Sequence, residues 1–143
     1  MKINEAMSSH VRYIEPDTTL EEAARKMREL DCGFLPISDS AQSKLQGVIT
    51  DRDITIRAVA DGMDPKTTSV SSIASDKVLY CFADDDLDSA AKSMHDQHVY
   101  RLVVLNNKDE KQLCGILSLG DIFRCNQEGI AMDAAREILR KVA

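Results

Sequence analysis

Two short phrases carry the residue types that could bind a small molecule. Thr50-x-x-Asp53 lies in GVITDRD (47–53), and Ser118-x-x-Asp121 lies in GILSLGD (115–121). In each, a hydroxyl at the end of an apolar run precedes a carboxylate by three positions. Two chemistries fit that spacing. In the first, the pair is a capping box: the hydroxyl accepts from the backbone N–H three residues on, and the acid accepts from the N–H of the hydroxyl residue. Such a cap stabilises a helix by about 1 kcal/mol, and taken singly each pair reads as a cap. In the second, the acid accepts two hydrogen bonds from a vicinal diol, as a carboxylate does with ribose in dinucleotide folds. An acid in the first helical turn repels phosphate from the free N–H groups there. The spot therefore suits a sugar, and any phosphate must extend towards cations. Arg101 and Arg52 are the candidates, with His98 three residues before Arg101. The ordinary alternative for each arginine is a solvated or ion-paired surface side chain, and for His98 a solvated helix end.

The two phrases are copies. Gly47 recurs as Gly115 and Asp53 as Asp121, a shift of 68 residues; LEEAARKM (20–27) recurs as LDSAAKSM (87–94) at a shift of 67. The order of the pieces is kept, which marks a tandem duplication. The copies differ in their cations: Arg101 answers to Phe34, and Arg52 to Gly120.

The elements that position these residues follow from periodicity. VRYIEP (11–16) and KVLYCF (77–82) read as short first strands. Leu20, Ala23, Ala24, Met27 and Leu30, and then Leu87, Ala90, Ala91 and Met94, form helical stripes. FLPIS (34–38) and RLVVL (101–105) are second strands, DSAQSK and NNKDEK polar loops, and GVIT and GILS third strands. DRDITIRAVAD and GDIFRC begin second helices, the first stopped by Gly62 and Pro65. KINEAM (2–7) matches SVSSIA (69–74) as a helical turn leading into each half. In EGIAMDAAREILRKVA (128–143), Ile130, Ala134, Ala135, Ile138, Leu139 and Val142 share a face. Packing of that helix on its own domain is favoured over an interface role. Each half is thus β-α-β-β-α, too little to bury both faces of its sheet, and two halves must share a core. The fold class is α+β (α/β-like). It comprises a first repeat at 1–66, a second at 67–127 and a helical tail at 128–143.

Composition narrows the function classes. The 143 residues are 43% hydrophobic, as a globular protein requires, and carry a net charge of −6. That balance opposes nucleic-acid binding, which needs basic surface. No apolar run approaches the roughly 20 residues of a membrane span, and MKINEAMSSH lacks the apolar region of a signal peptide. A cytoplasmic location is expected. The four cysteines, Cys32, Cys81, Cys114 and Cys125, form no CxxC pair; reduced structural thiols are expected rather than a metal site. No nucleophile motif, P-loop or glycine-rich dinucleotide turn is present, so no enzyme is expected.

The helix frames LEEAARKM and LDSAAKSM, the strand runs GFLPIS and YRLVVL, and the terminal frames GVITDRDI and GILSLGDI together carry a family likeness. The chain resembles a tandem pair of CBS domains, a Bateman module, over about residues 3–126. HVYRLVVL with GILSLGDI is similar to the last repeat of the γ subunit of AMP-activated kinase, and TDRDITIRAVADGMDP resembles small bacterial stand-alone pairs. The resemblance implies two pseudo-symmetric clefts that take adenosine derivatives such as AMP, ADP, ATP or S-adenosylmethionine. It puts ribose on Thr50 with Asp53 and on Ser118 with Asp121, phosphate on Arg101, and adenine near Ile14 and Cys81. It also implies a flat homodimer. Phe34 in place of arginine argues against two equivalent nucleotide sites. The function expected is a non-catalytic regulatory module that needs no cofactor, binds an adenosine ligand and signals to a dimer or to a protein partner. The alternatives are a ligand-free interaction protein, or a metal or redox sensor built on Cys32, Cys81, His95 or His98.

Overall fold

The computed structural model describes residues 1–40, 44–75, 77–125 and 127–140. Part of the loop DSAQSK, and Val142 of the tail, lie outside these. The chain forms two compact units, one of Arg12–Val78 and one of Met1–Val11 with Leu79–Ala143. The sequence repeat and the packing unit are therefore different partitions of the chain.

In the Arg12–Val78 unit, helix α2 (Leu20–Leu30) opens on a capping box, with Thr19 Oγ1 accepting from Glu22 N. It ends at Asp31, whose φ of 50° turns the chain left-handed. Strands β1 (Phe34–Asp39) and β2 (Lys44–Thr50) pair antiparallel. The run 11–16 contributes a single parallel bridge, Ile14 to Ile37; Pro16 has no N–H with which to extend a ladder. After β2 the chain makes one α-turn, α3 (Asp51–Asp53), and continues as a π-helical turn over Ile54–Val59. Leu20, Ala23 and Met27 of α2 join Leu35, Ile37 and Ile49 in the core. Ala24 and Leu30, expected on the same stripe, are exposed. A two-stranded sheet offers less apolar area than the periodicity of the helix could cover.

The other unit repeats the plan more completely. Strand β3 (Tyr80–Phe82) runs parallel to β4 (Arg101–Leu105), which pairs antiparallel with β5 (Leu113–Ser118). Helix α4 (Leu87–Gln97) precedes β4, and α5 (Leu119–Arg124) follows β5 directly. Helix α6 (Glu128–Leu139) lies on α4 and α5 and buries Ala131, Ala134 and Ile138, so the tail packs on its own domain. Leu139, expected on that face, is exposed.

Each unit is closed by a lead segment from the other copy's sequence. Helix α1 (Ile3–Ala6) inserts Ile3, fully buried, into the core that holds Leu87, Met94 and Leu117. Ser8 N donates to Ile116 O at 2.9 Å and Ile116 N returns a bond to Ser8 O at 3.0 Å. Lys2 Nζ meets Asp86 at 2.9 Å and holds that exposed carboxyl below its usual range. The matching segment, a 3₁₀ turn at Val70–Ser72, does the same in the Arg12–Val78 unit: Val70 is fully buried, and Ser75 and Val48 exchange backbone bonds at 3.2 and 3.3 Å. This is why each terminal frame opens on glycine. A Cβ on Gly47 would stand 2.9 Å from Ser75 O, and one on Gly115 would collide with Met7 and lie 3.1 Å from Ser8 O. Only glycine admits a backbone that close.

Candidate functional site

Both hydroxyl–acid pairs fold as capping boxes at a strand-to-helix junction. Thr50 Oγ1 accepts from Asp53 N at 3.0 Å, and Asp53 Oδ2 accepts from Thr50 N at 3.0 Å. Ser118 Oγ accepts from Asp121 N at 3.2 Å, while Asp121 Oδ2 accepts from both Ser118 N and Ser118 Oγ at 2.7 Å. A second common feature ties each junction to the preceding strand: Asp51 N donates to Gly33 O at 3.0 Å, and Leu119 N to Tyr100 O at 2.9 Å. Neither acid is turned to bulk solvent; the Asp53 side chain is 15% exposed and that of Asp121 9%.

The β4–β5 register sets Arg101 directly opposite Ser118. Residues opposed in an antiparallel pair project from the same face of the sheet, so cation, hydroxyl and acid are gathered at one corner. Arg101 is exposed, and among the described residues it has no ion-pair partner. At the other corner the same register sets Phe34 opposite Thr50. Arg52 shares the first turn with Asp53 and is exposed, its backbone N–H bonded to Asp51 Oδ1 at 2.8 Å. Asp51 adds a carboxylate there that the second copy lacks.

The remaining sequence candidates lie elsewhere in their units. His98 caps the C-terminus of α4 with φ 57°, and its Nε2 faces Glu137 Oε1 of α6 at 3.4 Å. A carboxylate at that distance competes with any phosphate for the ring. Ile14 and Cys81 are core residues, each in the hydrophobic cluster of its own unit. A groove of about 300 Å³ opens between α4 and α6, with Asp88, Lys92, His95 and Asp133 on its walls; it includes His95 of the sensor alternative but none of the ribose, phosphate or adenine candidates.

Two site residues escaped the sequence reading. Arg124 binds Asp121 Oδ1 through its Nη2. Arg57 places Nε 3.7 Å from Asp53 Oδ1 and donates from Nη1 to Ile73 O at 3.0 Å. Each corner thus carries its own guanidinium on the free oxygen of the acid. The signal was available: both arginines stand one helical turn after the carboxylate, where side chains meet.

Among the described residues no three His, Cys, Asp or Glu side chains converge. Burial, aided by Asp85 and Cys114, pushes the Cys81 thiol up to about 12, the reverse of what a thiolate ligand requires. Burial also raises Cys114. Because the unfolded thiol ionises near 9, the unfolded chain loses that proton first. Its contribution to stability is intact below pH 9 and is lost as pH rises from 9 towards about 12. Urea melts of wild type and Cys81→Ala across that range should converge, the wild type losing more stability with pH. Parallel losses would contradict the assignment.

Comparisons with known proteins give the family and the fold. The family model of the CBS domain matches twice, at residues 3–59 and 70–128. Hypoxic response protein 1 of Mycobacterium tuberculosis is 36% identical over 118 residues, covering 82% of this chain and 80% of its own. A crystal structure of Hypoxic Response Protein I with two coordinated zinc ions superposes with a TM-score of 0.77 at 34% identity, covering 87% of this chain and 98% of that one. The CBS-domain pair of protein MJ0100, solved with 5′-methylthioadenosine and S-adenosyl-L-methionine, superposes with a TM-score of 0.75 at 23% identity, over 90% of this chain and 98% of that one; this likeness speaks to the fold. Two matched repeats, each ending in the same strand, cap and helix, make this chain a member of the CBS-domain family, built as a tandem pair.

Proposed function

We propose that the chain is a non-catalytic regulatory module that binds an adenosine-containing ligand and passes its occupancy to a second copy or a protein partner. The observation that carries this reading is the Arg101–Ser118 register beside Asp121. A hydroxyl–acid pair suited to a ribose diol stands in register with an exposed cation suited to phosphate. Ser118 and Asp121 hold the ribose and Arg101 the phosphate, with the segment around Cys81 beside the adenine; the segment around Ile14 has that place at the Thr50–Asp53 corner. Thr50 and Asp53, with Arg52 near them, offer a second ribose corner. Phe34 leaves that corner without the strand cation, so it suits a ligand with less negative charge. The adenosine derivatives carried by the MJ0100 pair support the ligand class. The family supports a regulatory rather than a catalytic role. A homodimer in the cytoplasm is the setting proposed.

Calorimetry with AMP, ADP, ATP and S-adenosylmethionine tests the reading. A saturable heat with at least one of them is expected. Silence from all four, with protein well above micromolar, would remove adenosine sensing.

One observation favours a second reading. Both capping boxes are complete without a ligand, as they would be in a module that works only through protein contacts. In that case the melting temperature stays constant across the nucleotide panel.

A further inference from the structure

We infer that Arg124 is a latch on the Ser118–Asp121 corner that selects phosphorylated nucleosides over unphosphorylated ones. The inference rests on the ribose reading of that corner and adds its selectivity. A carboxylate offers about four acceptor positions on two oxygens. Asp121 Oδ2 is filled by Ser118 N–H and Ser118 Oγ–H, both at 2.7 Å. Oδ1 is held by Arg124 Nη2. One acceptor position remains, and a vicinal diol brings two donors. A ribose that seats both hydroxyls on Asp121 must therefore displace one donor, and Arg124 is the one that the cap does not hold in place.

The two members of the pair differ in how easily they move. The Asp121 side chain is 9% exposed and fixed by the cap, whereas that of Arg124 is 74% exposed. Among the described residues Arg124 has no other side-chain partner. Displacement by neutral hydroxyls takes the cation from a nearly buried carboxylate and gives the cation only water in return. A ligand that carries phosphate brings an anion for the freed guanidinium to pair with, as well as for Arg101 opposite Ser118. The energetic balance thus turns on whether the ligand is charged. The other corner lacks the device: Arg57 is anchored to Ile73 O, and Phe34 stands where Arg101 stands here.

The test is calorimetric titration of wild type, Arg124→Gln and Arg124→Lys with adenosine and with AMP. Arg124→Gln frees Oδ1, so adenosine should bind about fivefold tighter, the scale of a partly exposed ion pair. AMP should bind no tighter, because the phosphate loses a cation. The AMP-to-adenosine preference should then fall about fivefold or more, and Arg124→Lys should restore part of it. A purely structural helix-surface pair would leave that preference untouched. If wild type binds and Arg124→Gln shifts both ligands by the same factor, or neither, the latch is wrong and the ribose reading survives. If wild type binds neither ligand, the latch falls, and the ribose reading falls with it when ADP, ATP and S-adenosylmethionine are silent too.

Discussion

Ile3→Ala should lower the stability of the protein by about 3 kcal/mol, the cost of emptying a fully packed isoleucine site. For a chain of this size that is a fall of roughly 10 °C in melting temperature. The size of the effect comes from where Ile3 sits. It is near the start of the sequence, where truncation is commonly harmless, yet it is fully buried among Leu87, Met94 and Leu117. The segment around it supplies backbone partners that the second repeat cannot supply itself: Ile3 N to Asp85 O, Asn4 N to Ala83 O, and the reciprocal pair of Ser8 with Ile116. Leu87 N, at the start of α4, is satisfied by Met1 O. Thermal denaturation followed by circular dichroism checks this, with the exposed Ile56→Ala as control. The control should stay within about 0.5 kcal/mol of wild type. Equal melting temperatures for Ile3→Ala and wild type would show that the lead segment is not part of the folded unit.

Asp121→Ala should weaken binding of an adenosine ligand by about a hundredfold. Two hydrogen bonds to a charged acceptor are lost, each contributing about 1.5 kcal/mol or more. The same substitution removes the cap, at about 1 kcal/mol of stability, and leaves Ser118 N–H and Arg124 without their shared partner. Asp121→Asn separates the two effects. It keeps an acceptor for Ser118 N–H but lacks the negative charge that a ribose diol favours, so it should fold well and bind poorly. Arg52→Ala should cost much less than Asp121→Ala, because Arg52 lies at the corner without a strand cation. Calorimetric dissociation constants for the three variants order these expectations. Wild-type affinity in a well-folded Asp121→Asn would mean that the acid is a cap and nothing more.

Much of this molecule is written locally and was legible for that reason. The repeat GVITDRD/GILSLGD, the helix frames and the two capping boxes all depend on neighbours within a few residues. What was not legible depends on long-range choices. Ile3 and Val70 are both apolar residues at the head of a repeat, and nothing in either segment says that it will close the body of the other copy. Gly47 and Gly115 carry the trace of that choice, since each makes room for the incoming segment, but a lone glycine has too many other readings. Periodicity gave the direction of the buried stripe on α2 but not its width, which is how Ala24 and Leu30 came to be expected inside. The π-turn after Asp53 has no sequence signature; the same frame in the second copy continues as a regular helix. Arg57 and Arg124 could have been found from their spacing to the acids. That spacing is shared by many solvated surface pairs that hold nothing, so by itself it marks no site.

The most direct measurement is an AMP titration of ¹⁵N-labelled protein followed residue by residue. The account predicts saturable shifts at the amides of Ser118, Gly120 and Asp121 and at Arg101, with smaller changes around Phe34 and Thr50. Spectra in which those four residues stay still at millimolar AMP, whether or not others move, would contradict it.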